Sequence, residues 1–209
     1  MIRLPKIYIA RHGQDEDNSF GILNGHRDTQ LTDIGVGQAE ALANAIEENN
    51  LGITKIYSSP LKRAYQTAGI VASKLSLEEP EVLDLIIERD FGIMTGKPTK
   101  DIELLCSPEI IKTDTITYFL SPVNAETFPD LINRAKEVLR FINLKCNLSD
   151  VILLVSHGDI GKMIYAAYYN LDWKDVLTKF HFGNSEIILL SEDVEIKDRY
   201  VHKVEQYNL

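Results

Sequence analysis

Val151-Ile152-Leu153-Leu154-Val155 is an unbroken apolar run of strand length that stops at Ser156-His157-Gly158. A run without polar alternation reads as a strand buried on both faces. Ile7-Tyr8-Ile9-Ala10 is a shorter run of the same kind and stops at Arg11-His12-Gly13. Ile53 to Tyr57 reads as another strand, followed by Ser58-Ser59-Pro60-Leu61-Lys62-Arg63, and Ile187 to Leu190 as a further one. Ile196 to Val204 alternates weakly, as an edge strand does.

Helical periodicity fills the intervals. After Thr32, an N-cap with Asp33 in the first turn, residues Ala39, Leu42, Ala43 and Ile46 share one face. Ser59 reads as the next cap and Pro60 as the first helical residue, with Ala64, Ala68, Val71 and Leu75 inward. Thr127 or Phe128 caps a long helix opened by Pro129, with Leu131, Ala135, Val138, Leu139 and Ile142 at helical spacing. Gly161 to Tyr169 and Asp172 to Phe180 read as two more helices. Alternation of strand and helix predicts an α/β fold: a three-layer, mainly parallel, doubly wound sheet with helices on both faces. Residues 76–128, with Pro80, Pro98, Pro108, Pro122, Gly92 and Gly96, interrupt the alternation and are expected to form a helical insertion of one or two short helices. A length of 209 residues suits one domain, 1–209, rather than two.

Composition narrows the partners. The chain carries 31 Asp+Glu against 22 Lys+Arg, a formal net charge of -9. That balance argues against nucleic acid and against a polybasic membrane surface. Cys106 and Cys146 form no CxxC and no metal spacing, and are expected to be reduced thiols of a cytoplasmic protein. Met1 to Lys6 lacks the apolar core of a signal peptide, and the longest apolar runs are too short to span a bilayer.

In parallel sheets, ligands bind beyond the carboxyl ends of the strands. Three such ends carry Arg11-His12, then Arg63, then His157, so two arginines and two histidines converge from distant segments. Arg63 in the first turn of a helix is a poor structural choice, because the helix dipole is already positive there, and a good anion site.

The same residues fall into a longer ordered set. Arg11-His12-Gly13, Asn18, Gly25-x-x-Asp28-x-x-Leu31-Thr32-x-x-Gly35-x-x-Gln38-Ala39 and Ser58-Ser59-Pro60-Leu61-x-Arg63-Ala64-x-Gln66-Thr67-Ala68 come first. Glu88-Arg89-x-Phe91-Gly92-x-x-x-Gly96, Ser156-His157-Gly158 and Asn184-Ser185 follow. The set resembles the histidine phosphatase superfamily, in its phosphoglycerate mutase-like branch, from residue 7 to about residue 190. The resemblance implies that His12 is a nucleophile forming a phosphohistidine, with Arg11, Arg63 and His157 as the clamp on the phosphoryl oxygens. It implies Glu88 as general acid, with Asp159 as competitor, since an acid follows the second histidine directly in the acid phosphatase branch, whereas here Gly158 intervenes. Asn18, Asn24, Gly25, Arg89 and Gly158 match substrate-binding positions, and Gln14 stands where the family usually has glutamate. No cofactor or metal is implied: His12, His26, His157, His181 and His202 show no HxH or HxxxH pairing. His26, His181 and His202 read as loop or surface residues, and Tyr165, Tyr168 and Tyr169 as core and interface rather than a substrate stack.

The implied partner is a small phosphorylated metabolite. A mutase must also hold a carboxylate, a role that in the family falls to an arginine pair in the insertion. Residues 97–129 contain no arginine, only Lys97, Lys100 and Lys112 as cations. Hydrolysis is therefore favoured over transfer, with Lys97 or Lys100 available to a second anionic group. The alternatives are a cofactor-dependent phosphoglycerate mutase and a catalytically silent phosphate-binding regulatory protein.

Overall fold

The computed structural model describes residues 4–179, 181–191 and 200–202. In chain order the elements are β1 (Lys6–Arg11), α1 (Glu16–Ser19), α2 (Asp33–Glu48), β2 (Lys55–Ser58), α3 (Lys62–Lys74) and β3 (Glu81–Val82). Then come α4 (Ile102–Cys106), β4 (Ile110–Lys112), β5 (Thr117–Phe119), α5 (Phe128–Lys145), β6 (Val151–Ser156), α6 (Gly158–Tyr169), α7 (Trp173–Lys179), β7 (Ile187–Leu190) and β8 (Tyr200–His202). Six strands form one sheet in the order β3-β2-β6-β1-β7-β8. The first four are mutually parallel, and β7 runs antiparallel to β1. The fold is the expected three-layer α/β sheet.

Strand periodicity divides the core. Ile7, Ile9, Ile152 and Leu154 point to one face, where Leu131, Ala135, Val138 and Ile142 of α5 and Met163 and Ile164 of α6 cover them. Tyr8, Ala10, Leu153 and Val155 point to the other, under Leu42 and Ile46 of α2 and Ala64, Ala68 and Val71 of α3. Both faces of β1 and β6 are dry, which is why their sequences do not alternate. Thr32 caps α2 by accepting from the Gly35 amide, and Thr127 caps α5 through the Asp130 amide. Among the described residues, no helix is long and apolar enough to cross a membrane.

Several boundaries differ from the sequence expectation. β2 begins two residues late, at Lys55. Ser59 is not a cap and Pro60 is not helical: Leu61 holds the cap position with φ -72° and ψ 136°, and α3 starts at Lys62. The Ser59 hydroxyl is engaged by His157 instead, 2.7 Å away. α6 starts at Gly158, three residues early; Gly161 is a mid-helix glycine because a Cβ there would lie 2.6 Å from the Phe182 ring. Residues 76–128 are less helical than expected. They hold α4 and three single 3-10 turns, but also β3, which joins the main sheet, and the antiparallel hairpin β4–β5. Of the proposed Ile196 to Val204 strand, Tyr200–His202 pairs with β7, and the rest lies outside the described residues, as does Phe180.

Candidate active site

Parallel register places the three strand ends side by side. Arg11 lies opposite Ser156 on the β1–β6 ladder, and Ser58 opposite Val155 on β2–β6. The His12 amide then donates to the Ser156 carbonyl at 3.0 Å, and the Ser59 amide to that of Val155 at 3.0 Å.

His12 is 3% exposed. Its Nδ1 lies 2.7 Å from the Gly13 carbonyl oxygen. A carbonyl only accepts, so Nδ1 carries the proton and Nε2 presents its lone pair. Arg63 Nε donates to that Nε2 at 3.3 Å. Burial, then the Arg63 and Arg11 guanidiniums, hold the His12 pKa well below the ordinary imidazole value against the opposing pull of the Gly13 carbonyl. The ring is neutral over the physiological range.

The loop carrying His12 is braced by backbone contact with α2. A Cβ on Gly13 would lie 2.3 Å from the Gly35 oxygen, and one on Gly35 would lie 1.9 Å from the Gln14 oxygen. The Gly13 amide also donates to the Thr67 hydroxyl at 3.1 Å, while the Thr32 hydroxyl donates to Gln14 Oε1 at 2.9 Å. Gly35→Ala is therefore expected to destabilise the protein by about 3 kcal/mol, because backbone rather than a mobile side chain must move. Gly37→Ala, on the same helix with nothing within 4 Å of its Cβ, is expected to stabilise by about 0.5–1 kcal/mol. Urea unfolding of the two variants checks both signs.

Arg63 is fully buried, and its Nη1 donates to the Arg27 carbonyl at 2.6 Å and its Nη2 to the Gly25 carbonyl at 3.0 Å. Gly25 is held beside the site by a second role: its φ of +51° and a Cβ position 2.9 Å from Thr95 Oγ1 require glycine, and its carbonyl anchors Arg63. Asp15, missed in the sequence, lies 3.2 Å from Arg63 Nε and is 0% exposed. It caps α1 through the Asn18 amide and accepts from Asn24 Nδ2 on both oxygens at 2.8 Å. Burial raises its pKa, outweighing Arg63 and the hydrogen bonds. The cluster Asp15-Glu16-Asp17 at a helix start was the available signal.

His157 is fully buried, with its ring 5.0 Å from that of His12. Burial, then Arg63, His12 and Arg11, hold its pKa well below the ordinary value, which favours the neutral ring. Its Nδ1 and Arg11 Nε are both buried without a hydrogen-bond partner among the described residues. Arg11 Nη1 donates to the Phe182 carbonyl at 3.0 Å.

Glu88 is 7% exposed and sits at the N-terminus of α6. Its Oε1 accepts from the Arg89 amide at 2.8 Å and the Ile160 amide at 3.2 Å, and its Oε2 from the Asp159 amide at 3.3 Å. Burial and then the neighbouring Asp159 carboxylate raise its pKa above the usual carboxylate value. Asp159 itself is bound by Arg89 Nε at 2.8 Å. Arg89 lines the cavity but is committed: it packs over the Phe91, Phe119 and Phe128 rings and holds Asp159. Two residues fix the Glu88 backbone that the sequence did not suggest. Arg134 on α5 donates to the Leu85, Ile87 and Glu88 carbonyls, and His26 Nε2, read as a plain loop residue, donates to the Glu88 carbonyl at 2.8 Å.

These groups enclose a cavity of about 180 Å³, into which Arg11, His12, Arg63, Glu88, Asn18 and Gly158 all open. Asn24 also lines it, and Asn184 Nδ2 ties Asn18 Oδ1 to the His12 carbonyl, at 3.0 Å each. Lys97, Lys100 and Lys112 are exposed and off the cavity; Lys112 pairs with Glu103. Lys162 of α6 and Tyr118 of β5 form part of its wall instead. Tyr165 of α6 is buried in the core, against Tyr169 of the same helix.

Known proteins resemble the chain in sequence and fold. A family model described as the histidine phosphatase superfamily (branch 1) matches residues 7–197. A 6-phosphofructo-2-kinase/fructose-2,6-bisphosphatase of Caenorhabditis elegans is 31% identical over 80% of this chain and 35% of its own length, so the chain spans about a third of that relative. A 2,3-bisphosphoglycerate-dependent phosphoglycerate mutase of Methylobacterium sp. (strain 4-46) is 26% identical over 73% of this chain and 75% of its own. A phosphoserine phosphatase of Entamoeba histolytica, solved with 3-phosphoglyceric acid, superposes with a TM-score of 0.71 at 25% identity, covering 89% of this chain and 90% of that one.

Proposed function

The chain belongs to the histidine phosphatase superfamily, and from that premise we propose that it hydrolyses a small phosphomonoester through a phosphohistidine on His12. The observation that carries this is the His12 ring itself. Its Nδ1 proton is tied to the Gly13 carbonyl, which leaves Nε2 unprotonated on a residue that lines the cavity with Arg11 and Arg63, and the long 3.3 Å hydrogen bond that Nε2 accepts from Arg63 is one an incoming phosphoryl group would take over.

The chemistry balances with the residues present. Nε2 attacks phosphorus in line, the P–O ester bond breaks, and Glu88 gives its proton to the departing oxygen. Water then attacks the phosphohistidine, its proton returns to Glu88, and inorganic phosphate leaves with the Nε2 lone pair restored. Arg11 and Arg63 supply charge-assisted hydrogen bonds to the transferring group. The buried Arg11 Nε and His157 Nδ1 are donors that a phosphoryl oxygen would satisfy. For His157, the Ser59 hydroxyl already accepts from the Leu61 amide at 3.3 Å. In the tautomer that serves this role, the Ser59 hydroxyl donates to His157 Nε2, 2.7 Å away, and the ring proton sits on Nδ1. Asp159 is set aside as the acid because Arg89 occupies its carboxylate.

Transfer between substrates is the second reading, since relatives include a phosphoglycerate mutase. The insertion's lysines are not among the residues lining the cavity, and Arg89 is spent on Asp159, which favours hydrolysis. Phosphate release across a panel of phosphorylated metabolites tests the proposal. Release is expected, and added 2,3-bisphosphoglycerate should not drive phosphoglycerate interconversion beyond it. Interconversion exceeding release overturns hydrolysis; no release, together with no covalent phosphoprotein, leaves a silent phosphate-binding protein.

A further inference from the structure

Arg63 Nε carries one N–H and faces two acceptors. His12 Nε2 lies 3.3 Å away and Asp15 Oδ2 3.2 Å away. The first holds the lone pair that attacks phosphorus, so it must shed this hydrogen bond as it reacts. The second is a carboxylate able to receive it. Asp15 Oδ2 also lies 3.9 Å from His12 Nδ1, and Asp15 is the one carboxylate paired with that ring among the described residues.

For holding a phosphate, Asp15 is a poor choice. It is 0% exposed and is not among the residues lining the cavity. A negative charge behind the guanidiniums of the clamp weakens their hold on an anion. Yet every hydrogen-bond partner of its side chain among the described residues donates. The Asn18 amide gives to Oδ1 at 2.8 Å, and Asn24 Nδ2 gives to both oxygens at 2.8 Å. Donors on both oxygens favour the ionised form. Burial raises the Asp15 pKa, while Arg63, Asn18, Asn24 and Arg11 pull toward the carboxylate.

The charge on the ring changes during the reaction. Before attack the His12 ring is neutral. As the Nε2–P bond forms and the ester P–O bond breaks, the ring keeps its Nδ1 proton and becomes positive, and Glu88 protonates the departing oxygen. A carboxylate behind the ring then gains an attraction that it lacked in the ground state. Such a difference between ground and transition state is what accelerates a step. When water cleaves the P–N bond, the ring returns to neutral and Nε2 again accepts from Arg63.

We propose that Asp15 is a positioning residue for phosphoryl transfer: it takes the Arg63 Nε–H from His12 Nε2 as that nitrogen attacks, and it meets the positive charge that develops on the ring. Asp15 stays ionised and exchanges no proton. This rests on phosphoryl transfer at His12.

The test uses Asp15→Asn and Asp15→Thr, which both keep a cap for α1 but lack the charge. Inhibition by two anions is compared. Orthovanadate takes the His12 Nε2 lone pair into its coordination sphere, whereas sulfate binds with no bond to nitrogen. Loss of Asp15 should weaken vanadate by about tenfold or more and leave sulfate as tight or tighter. With a nitrophenyl phosphate, whose leaving group needs no proton, kcat should fall by about tenfold or more with no rise in KM. A merely structural Asp15 would misplace Arg63 and weaken both anions together, and that result overturns the proposal. So does a kcat or a vanadate affinity unchanged within twofold in either variant. Failure of both variants to fold makes Asp15 an anchor of the fold and overturns it as well. A phosphoprotein that forms in the variants at the wild-type rate overturns this inference and leaves the phosphatase reading intact. Neither phosphate release nor a phosphoprotein from the unmutated protein overturns both.

Discussion

His12→Asn is expected to lower kcat/KM by about 10⁴-fold or more, and to remove the covalent phosphoprotein altogether. A loss of that size is about 5 kcal/mol of transition-state stabilisation, the scale of removing a covalent nucleophile. The substitution keeps a small amide in place of the ring but takes away the unprotonated Nε2, which accepts from Arg63 Nε on a residue lining the cavity. Acid quenching does not suit a phosphohistidine, so the adduct is trapped in alkali with radiolabelled substrate. The wild type should give an alkali-stable, acid-labile phosphoprotein and His12→Asn none. His157, with its ring 5.0 Å away, is the internal competitor. A phosphoprotein that persists in His12→Asn and vanishes in His157→Asn would reverse the two roles.

Glu88→Gln separates the acid from the clamp. The glutamine keeps an acceptor for the Arg89 and Ile160 amides but has no proton to give. Hydrolysis of an alkyl phosphate, whose leaving oxygen needs that proton, should fall by about 10²–10⁴-fold. A nitrophenyl phosphate, whose leaving group departs as a stable anion, should lose less than about tenfold. The pH profile carries the sign independently. The His12 pKa is depressed, so His12 is already deprotonated at the low end of the profile, and its acid limb lies well below the ordinary imidazole value. The Glu88 pKa is raised, so Glu88 stays protonated beyond the ordinary carboxylate range before the alkaline limb begins. Glu88→Gln should erase that alkaline limb for alkyl esters. If Asp159→Asn erases it and Glu88→Gln does not, the proton comes from Asp159 despite its pairing with Arg89.

The two arginines and two histidines were legible because they follow strands. A buried parallel strand writes itself as an unbroken apolar run, and the residue after it must lie at the carboxyl edge of the sheet. Gly13 and Gly35 were visible as motif letters, though their reason, a backbone contact between the His12 loop and α2, needed coordinates. Asp15, Arg134 and Lys162 were not legible. Each acts on a partner distant in sequence: Asp15 on Arg63, Arg134 on the Glu88 segment, Lys162 on Tyr118. Nothing in the local pattern of an acidic turn or an amphipathic helix separates such a residue from a solvated one. The Ser59 cap failed for the same reason, since a serine before proline has cap chemistry whether or not a buried histidine claims its hydroxyl.

By itself, the sequence determined the α/β architecture, the family, and which strand ends meet, because periodicity and order along the chain carry that information. Only the tertiary structure decided the charge state and pairing inside the site. It favoured the neutral form of both histidines, tied Asp159 to Arg89, left Glu88 with a raised pKa, and set Lys162 rather than Lys97 or Lys100 in the cavity wall. Desolvation and the distances between charges on different elements set these properties, and both exist only after the chain has packed.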